Sequence, residues 1–138
     1  MKFSSAIRDK LPRAIVLAAL LGAIGCGNDP LGPSGQIQVD RAIDTFLFTA
    51  LTVENGTQTL SYRWENTGTQ ATVIITDGIS SGSAILTIED DAGTVVHQED
   101  IADDNDTDTA VGVAGSWRIE IDIQNLTGNF TVSVQKTN

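Results

Sequence analysis

The residues with the clearest chemical potential are one thiol, Cys26, and a run of carboxylates, Glu99-Asp100-Ile101-Ala102-Asp103-Asp104-Asn105-Asp106-Thr107-Asp108. Hard cations take several oxygen ligands, and alternate carboxylates in a curved loop can converge on one. Asp104, Asp106 and Asp108 alternate, and Asp103 adjoins them, so these four form a candidate Ca²⁺ site. An EF-hand is excluded, because Thr109 stands where its glycine belongs and Gly115 where its closing glutamate belongs. The same stretch also suits a solvated acidic loop that keeps a strand edge from pairing. A second acidic group, Glu89-Asp90-Asp91, precedes Ala92-Gly93 and reads as turn chemistry. His97 is the single histidine. Neither a Gly-x-Ser-x-Gly elbow nor a histidine pair at zinc spacing accompanies it, so it reads as a half-exposed strand residue. Catalysis is not expected, and a hydrolase is only a remote alternative.

The place of Cys26 is informative. Residues 1–13 carry Lys2, Arg8, Lys10 and Arg13 against Asp9 alone, and residues 14–25, AIVLAALLGAIG, are apolar or glycine throughout. Twelve helical residues span about 18 Å, short of the ~30 Å hydrocarbon core, so the run reads as a secretory signal and not a membrane span. Its end, Ala23-Ile24-Gly25-Cys26, resembles the lipobox of bacterial lipoproteins, although the position three before the cysteine is more often Leu than Ala. That resemblance implies a diacylglyceryl group on the Cys26 thiol and cleavage just before it. Two or three acyl chains would hold the protein on a membrane with no further contact. In the lipoproteins it resembles, an Asp after the cysteine favours inner-membrane retention, so the resemblance implies the outer membrane for a chain with Gly27 there. The glycines and prolines of residues 26–35 suit a flexible tether. The expected organisation is a signal peptide at 1–25, a tether at 26–35 and a folded domain at 36–138.

The chain of 138 residues has a formal charge of −10, and from Cys26 onward four bases face 17 acids, a formal −13. Such a body repels phosphate backbones, which excludes nucleic acid as a partner. A lone cysteine permits no internal disulfide, so the domain must stand on its hydrophobic core. A chain of about 110 residues can bury roughly two thirds of its unfolded surface.

The elements are strands. Period-2 alternation recurs along the body and no window sustains a 3.6 period. Trp117, Ile119, Ile121 and Ile123 share one face against Arg118, Glu120, Asp122 and Gln124, and Phe130, Val132 and Val134 repeat the pattern. Strands are expected near 36–41, 45–54, 59–66, 71–76, 83–89, 94–99, 108–113, 116–124 and 129–136, with a hairpin connection at Asn125-Leu126-Thr127-Gly128-Asn129. Eight or nine short strands with one wet face each make an all-β antiparallel two-sheet β-sandwich, jelly-roll-like in plan. Phe46 and Phe48 alternate with Leu47, Thr49 and Leu51, which is apolar on both faces. Tyr62, Trp64, Trp117 and Phe130 phase inward, which argues against an aromatic sugar platform.

Ser83 to Val134 resembles the bacterial pre-peptidase C-terminal domain. The parts that match are Ile85-Leu86-Thr87-Ile88, the turn Asp90-Asp91-Ala92-Gly93-Thr94, Ala114-Gly115-Ser116-Trp117-Arg118-Ile119-Glu120-Ile121 and Gly128-Asn129-Phe130-Thr131-Val132-Ser133-Val134. The resemblance implies a small β-sandwich that serves as an accessory or binding module, with Trp117 where the family usually has Tyr. Together these readings lead to a lipid-anchored, non-catalytic envelope module. It would bind or scaffold an envelope protein partner, or another copy of itself, through its sheet edges. The alternative is a calcium-dependent module for carbohydrate or another small ligand, using the 99–108 loop.

Overall fold

The computed structural model describes residues 36–138. The expected signal peptide, Cys26 and the tether lie outside these residues. Six antiparallel strands follow in order: β1 (Ile37–Ala42), β2 (Thr45–Asn66), β3 (Ala71–Glu89), β4 (Val95–Asp100), β5 (Asp106–Asp108) and β6 (Gly115–Lys136). A single 3-10 turn, Ile101–Asp103, interrupts them. The sheet order is β1-β2-β6-β3-β4, with β5 on the other part of β3. The fold is the expected all-β, antiparallel two-layer sandwich.

Its construction differs from nine separate strands. Three of the strands run 22, 19 and 22 residues, and each doubles over. A straight strand of 22 residues would span roughly 70 Å. The bends fall where the ladder slips: between Ala50 and Gln58 in β2, and between Ile79 and Ser83 in β3. A β-bulge puts extra residues into one strand, sharpening its twist and bending it. Asn55, Gly82, Asn125 and Gly128 have positive φ there. At Gly82 and Gly128 this is obligatory, because a Cβ at either would overlap the backbone of the neighbouring strand. Side chains stitch the bend: Asn55 N–H donates to Thr127 Oγ1 at 2.9 Å, and Asn125 N–H to Thr57 Oγ1 at 2.9 Å. The expected hairpin at 125–129 is therefore a bend inside β6, and β6 pairs with β2 and β3 on both sides of it.

The bends lay one half of the sheet on the other. The first layer holds β1, the first halves of β2 and β3, β5 and the second half of β6. The second holds β4 and the remaining halves. Phe46, Phe48, Val73, Phe130, Val132 and Val134 of the first layer are buried, as are Trp64, Leu86, Ile88, Trp117, Ile119 and Ile121 of the second. Burying each such side chain contributes about 1.5–3 kcal/mol. Trp64 and Trp117 face each other across β2 and β6 in an edge-on pair with centroids 6.0 Å apart. Phe46 and Tyr62, in opposite halves of β2, approach to 5.8 Å. The outer face of β2 is not covered, and Leu47 and Leu51 stay partly exposed there.

The expected strand at 108–113 becomes β5 plus a strap. Thr109 N–H donates to Ala71 O, Ala110 N–H to Val96 O and Gly112 N–H to Thr69 O. Its partners alternate between the 69–71 stretch and β4, which prevents a ladder, and the strap instead closes that side of the sandwich.

Candidate functional site

The carboxylates singled out by spacing are not brought together. Asp103 ends the 3-10 turn and Asp104 takes a left-handed conformation after it, while Asp106 and Asp108 lie on β5, all four exposed. Asp103 and Asp104 precede the strand that carries Asp106 and Asp108, so the four do not lie on one curved loop. Asp108 Oδ1 accepts from Thr72 Oγ1 at 2.7 Å. Among the described residues no three His, Cys, Asp or Glu side chains form a group that could hold a metal.

The second acidic group is structural. Asp90 is buried, and its carboxylate accepts from the N–H groups of Ala92 (3.0 Å), Thr94 (2.9 Å) and Val113 (2.9 Å). These bonds, led by that from Thr94, hold its pKa below the ordinary carboxylate value against the opposing effect of burial. Asp91 accepts from Ser116 N–H, and Glu89 pairs with Arg118. Arg118 also meets Glu120 at 2.8 Å, and the two carboxylates raise its pKa. His97 is more enclosed than its sequence position suggests. Its side chain is 11 % exposed and its Nε2 lies 2.6 Å from Glu99 Oε1, on the same strand.

The edges of the sheet differ sharply. β5 is three residues long with two aspartates, and the strap takes the outer carbonyl of Val96 on β4. Such devices blunt an edge. The side formed by β1 and the second half of β2 is blunted only at its Arg41 end. β1 pairs only with residues 45–50 of β2, so residues 58–66 are hydrogen-bonded on one side, to β6. In an antiparallel pair, alternate residues turn both backbone groups away from the partner. The carbonyls of Arg63 and Glu65 do so, accepting from the Arg41 guanidinium at 3.1 Å and from Asp44 N–H at 2.9 Å. By the same alternation Thr59 and Ser61 turn their N–H and C=O groups outward, and both residues are exposed.

The core is also unsealed on this side. Five apolar residues pack against it while only partly buried, and four of them, Ile37, Val39, Leu60 and Tyr62, line this seam. Arg41 closes one end, its Cζ 5.9 Å from the centre of the Tyr62 ring. Burial raises the Tyr62 phenol pKa, and the Arg41 charge partly opposes that rise. Beside it a shallow groove of about 400 Å³ is lined by Arg41, Ala42, Ile43, Arg63, Trp64 and Glu65. Arg41 and Arg63 lie 22 positions apart on opposite layers, and no local pattern in the sequence links them. The inward phasing of the aromatics holds: Phe46, Phe48, Trp64, Trp117 and Phe130 are buried, and Tyr62 is half-buried.

No family model matches this sequence, and no curated protein matches it. Among solved structures, a CBM4 structure is 11 % identical with a TM-score of 0.39, covering 75 % of this chain and 78 % of its own. TmCBM61 in complex with β-1,4-galactotriose is 14 % identical with a TM-score of 0.38, covering 78 % and 90 %. Accessory secretory protein 1, 2 and 3 from Streptococcus pneumoniae is 10 % identical with a TM-score of 0.36, covering 80 % and 93 %.

Proposed function

We propose that this protein is a lipid-anchored, non-catalytic binding module of the bacterial envelope that holds a protein partner by accepting one of its strands on the β1–β2 seam. Cys26 carries the lipid on the outer membrane, and residues 26–35 are the tether. Ten residues reach at most about 35 Å. Since β1 begins at Ile37, the tether leads directly into the seam strand and keeps its start within about that distance of the membrane.

The observation that supports this reading is the unsealed core. Strand addition supplies main-chain hydrogen bonds, with specificity from alternate side chains. Here the outward groups of Thr59 and Ser61 provide the first, and the half-buried Val39, Leu60 and Tyr62 provide an apolar surface for the second.

Site-specific photocrosslinking in the native host tests the proposal. A photoreactive residue at Thr59 should capture one discrete partner, or a second copy of the chain. The same probe at Thr76, on the outer face of β3, should not. Ser61→Pro removes an outward N–H while leaving the β2–β6 ladder intact, so it should abolish capture at Thr59. Capture that survives Ser61→Pro, or that is equal at Thr76, would overturn strand addition.

A further inference from the structure

Four cations stand against the acids of the described body, and two of them are already neutralised. Arg118 pairs with Glu89 and Glu120, and Lys136 with Asp44 at 3.2 Å. Arg41 and Arg63 make no ion pair among the described residues. Each donates one hydrogen bond to a backbone carbonyl, Arg41 to Arg63 O and Arg63 to Ser116 O at 3.3 Å. A guanidinium has five N–H donors in a fixed fork, so both keep donors for a planar oxyanion. Both line the same groove at the end of the open edge. This end of β2 is short of acceptors as well, since Trp64 Nε1 and Asn66 Nδ2 are buried there with no partner.

We propose that this groove receives a carboxylate carried by the docking strand. The inference rests on the strand-addition reading and gives the partner's chemistry: an extended segment with an acidic side chain, or its own C-terminus, where its backbone reaches Arg63. Elsewhere the acidic surface repels a carboxylate, whereas in the groove two guanidinium groups face one acid, Glu65. Here Arg41 is already held in place, by the Arg63 carbonyl and the Tyr62 ring, at the point where the edge stops. Ile43, 68 % exposed at the lip of the groove, offers apolar contact to the residue beside the carboxylate.

The test uses the full chain in detergent and three probes: a blocked Thr-Val alternating nonapeptide with one central Glu, its Gln counterpart, and glutarate. Calorimetry should show the Glu peptide binding about tenfold more tightly than the Gln peptide, as expected for losing one charge-assisted pair. Arg41→Gln or Arg63→Gln should erase that difference, with melting curves showing the variants folded. Arg41→Lys should keep part of it. Equal binding of the two peptides, unaffected by either variant, would overturn the carboxylate site and leave strand addition standing. Glutarate perturbing the arginine Nε–H NMR signals while neither peptide binds would do the reverse. If no probe binds, both proposals fall.

Discussion

The backbone N–H of Asp44 donates to the carbonyl of Glu65 at 2.9 Å, although Asp44 precedes β2 and Glu65 lies at its far end. One strand thus returns to its own start, and the sandwich is a single sheet folded over on itself. The Asp44 carboxylate extends the closure. It accepts from Thr67 N–H at 2.7 Å and pairs with Lys136 at the end of β6. The Asp44 carbonyl accepts from Lys136 N–H. The ends of the strands that form both layers meet at this residue, beside the seam.

This clasp predicts acid sensitivity. The Thr67 N–H bond, helped by Lys136, holds the Asp44 pKa below its ordinary value of 3.8. A carboxylate whose folded pKa is depressed contributes fully above the unfolded pKa. Its contribution declines as pH falls below that value and is lost below the folded one. Asp44→Asn tolerates the positive φ of 69° and keeps an acceptor, but loses the charge. The variant should melt lower than wild type at neutral pH, and the gap should close as pH falls below about 4. Melting curves from pH 7 to pH 2 check this, and a gap constant through the acid range would contradict it.

Asp90 should prove as important as a core residue. Its carboxylate is the acceptor for three backbone donors, two in the β3–β4 turn and one in the strap. Asp90→Ala removes three charge-assisted hydrogen bonds at once, each stronger than a neutral one, and leaves a void at a buried position. The variant should lose several degrees of Tm, and hydrogen exchange should accelerate first at Thr94 and Val113. Gly112 has the same dependence, because a Cβ there would crowd the Asp90 side chain at 2.8 Å.

The bends predict the largest single-residue effects. Gly82→Ala and Gly128→Ala each place a Cβ against backbone, at φ of 79° and 136°. Backbone cannot rotate away as a side chain can. Left-handed strain together with overpacking should lower stability by roughly 2–4 kcal/mol. Gly93, with φ of 85° but open space around it, should cost only the strain, about 1–2 kcal/mol. Urea denaturation of the three variants separates the two contributions.

The core was legible in the sequence, and its connectivity was not. Trp117, Ile119, Ile121 and Ile123 are all fully buried, as their alternation requires. Beyond the bend, Phe130, Val132 and Val134 are buried too, and the buried parity has switched from odd to even. A parity switch at an Asn/Gly-rich stretch marks a bulge or a hairpin equally well, because both need positive φ. Only long-range pairing decides, and here β2 and β3 follow β6 around the bend. The acidic stretch was legible as composition but not as geometry: its spacing did not show that Asp106 and Asp108 lie on β5 while Asp103 and Asp104 belong to the turn before it. Arg41 and Arg63 carried no signal, since the doubling of β2 alone makes them neighbours.

The proposed lipid anchor is tested directly by labelling the native host with a palmitate analogue. Wild type should take up label and partition with membranes, and Cys26→Ala should do neither. A labelled Cys26→Ala protein would place the lipid elsewhere.

Tyr62 reports on the seam without any partner. Burial raises its phenol pKa and the Arg41 charge opposes the rise, so the two effects separate when Arg41 is replaced. Arg41→Gln removes only the lowering effect, and tyrosinate absorbance should then appear at higher pH than in wild type. Tyr62 is the chain's single tyrosine, so the titration is free of overlap. Arg63→Gln should leave the titration almost unchanged, because Arg63 makes no stacking contact with the ring. A carboxylate bound in the groove would neutralise Arg41 and shift Tyr62 in the same direction as its replacement. An Arg41→Gln titration identical to wild type would mean that the guanidinium does not rest on the ring in solution, and the pre-placement of Arg41 at the end of the edge would be lost with it.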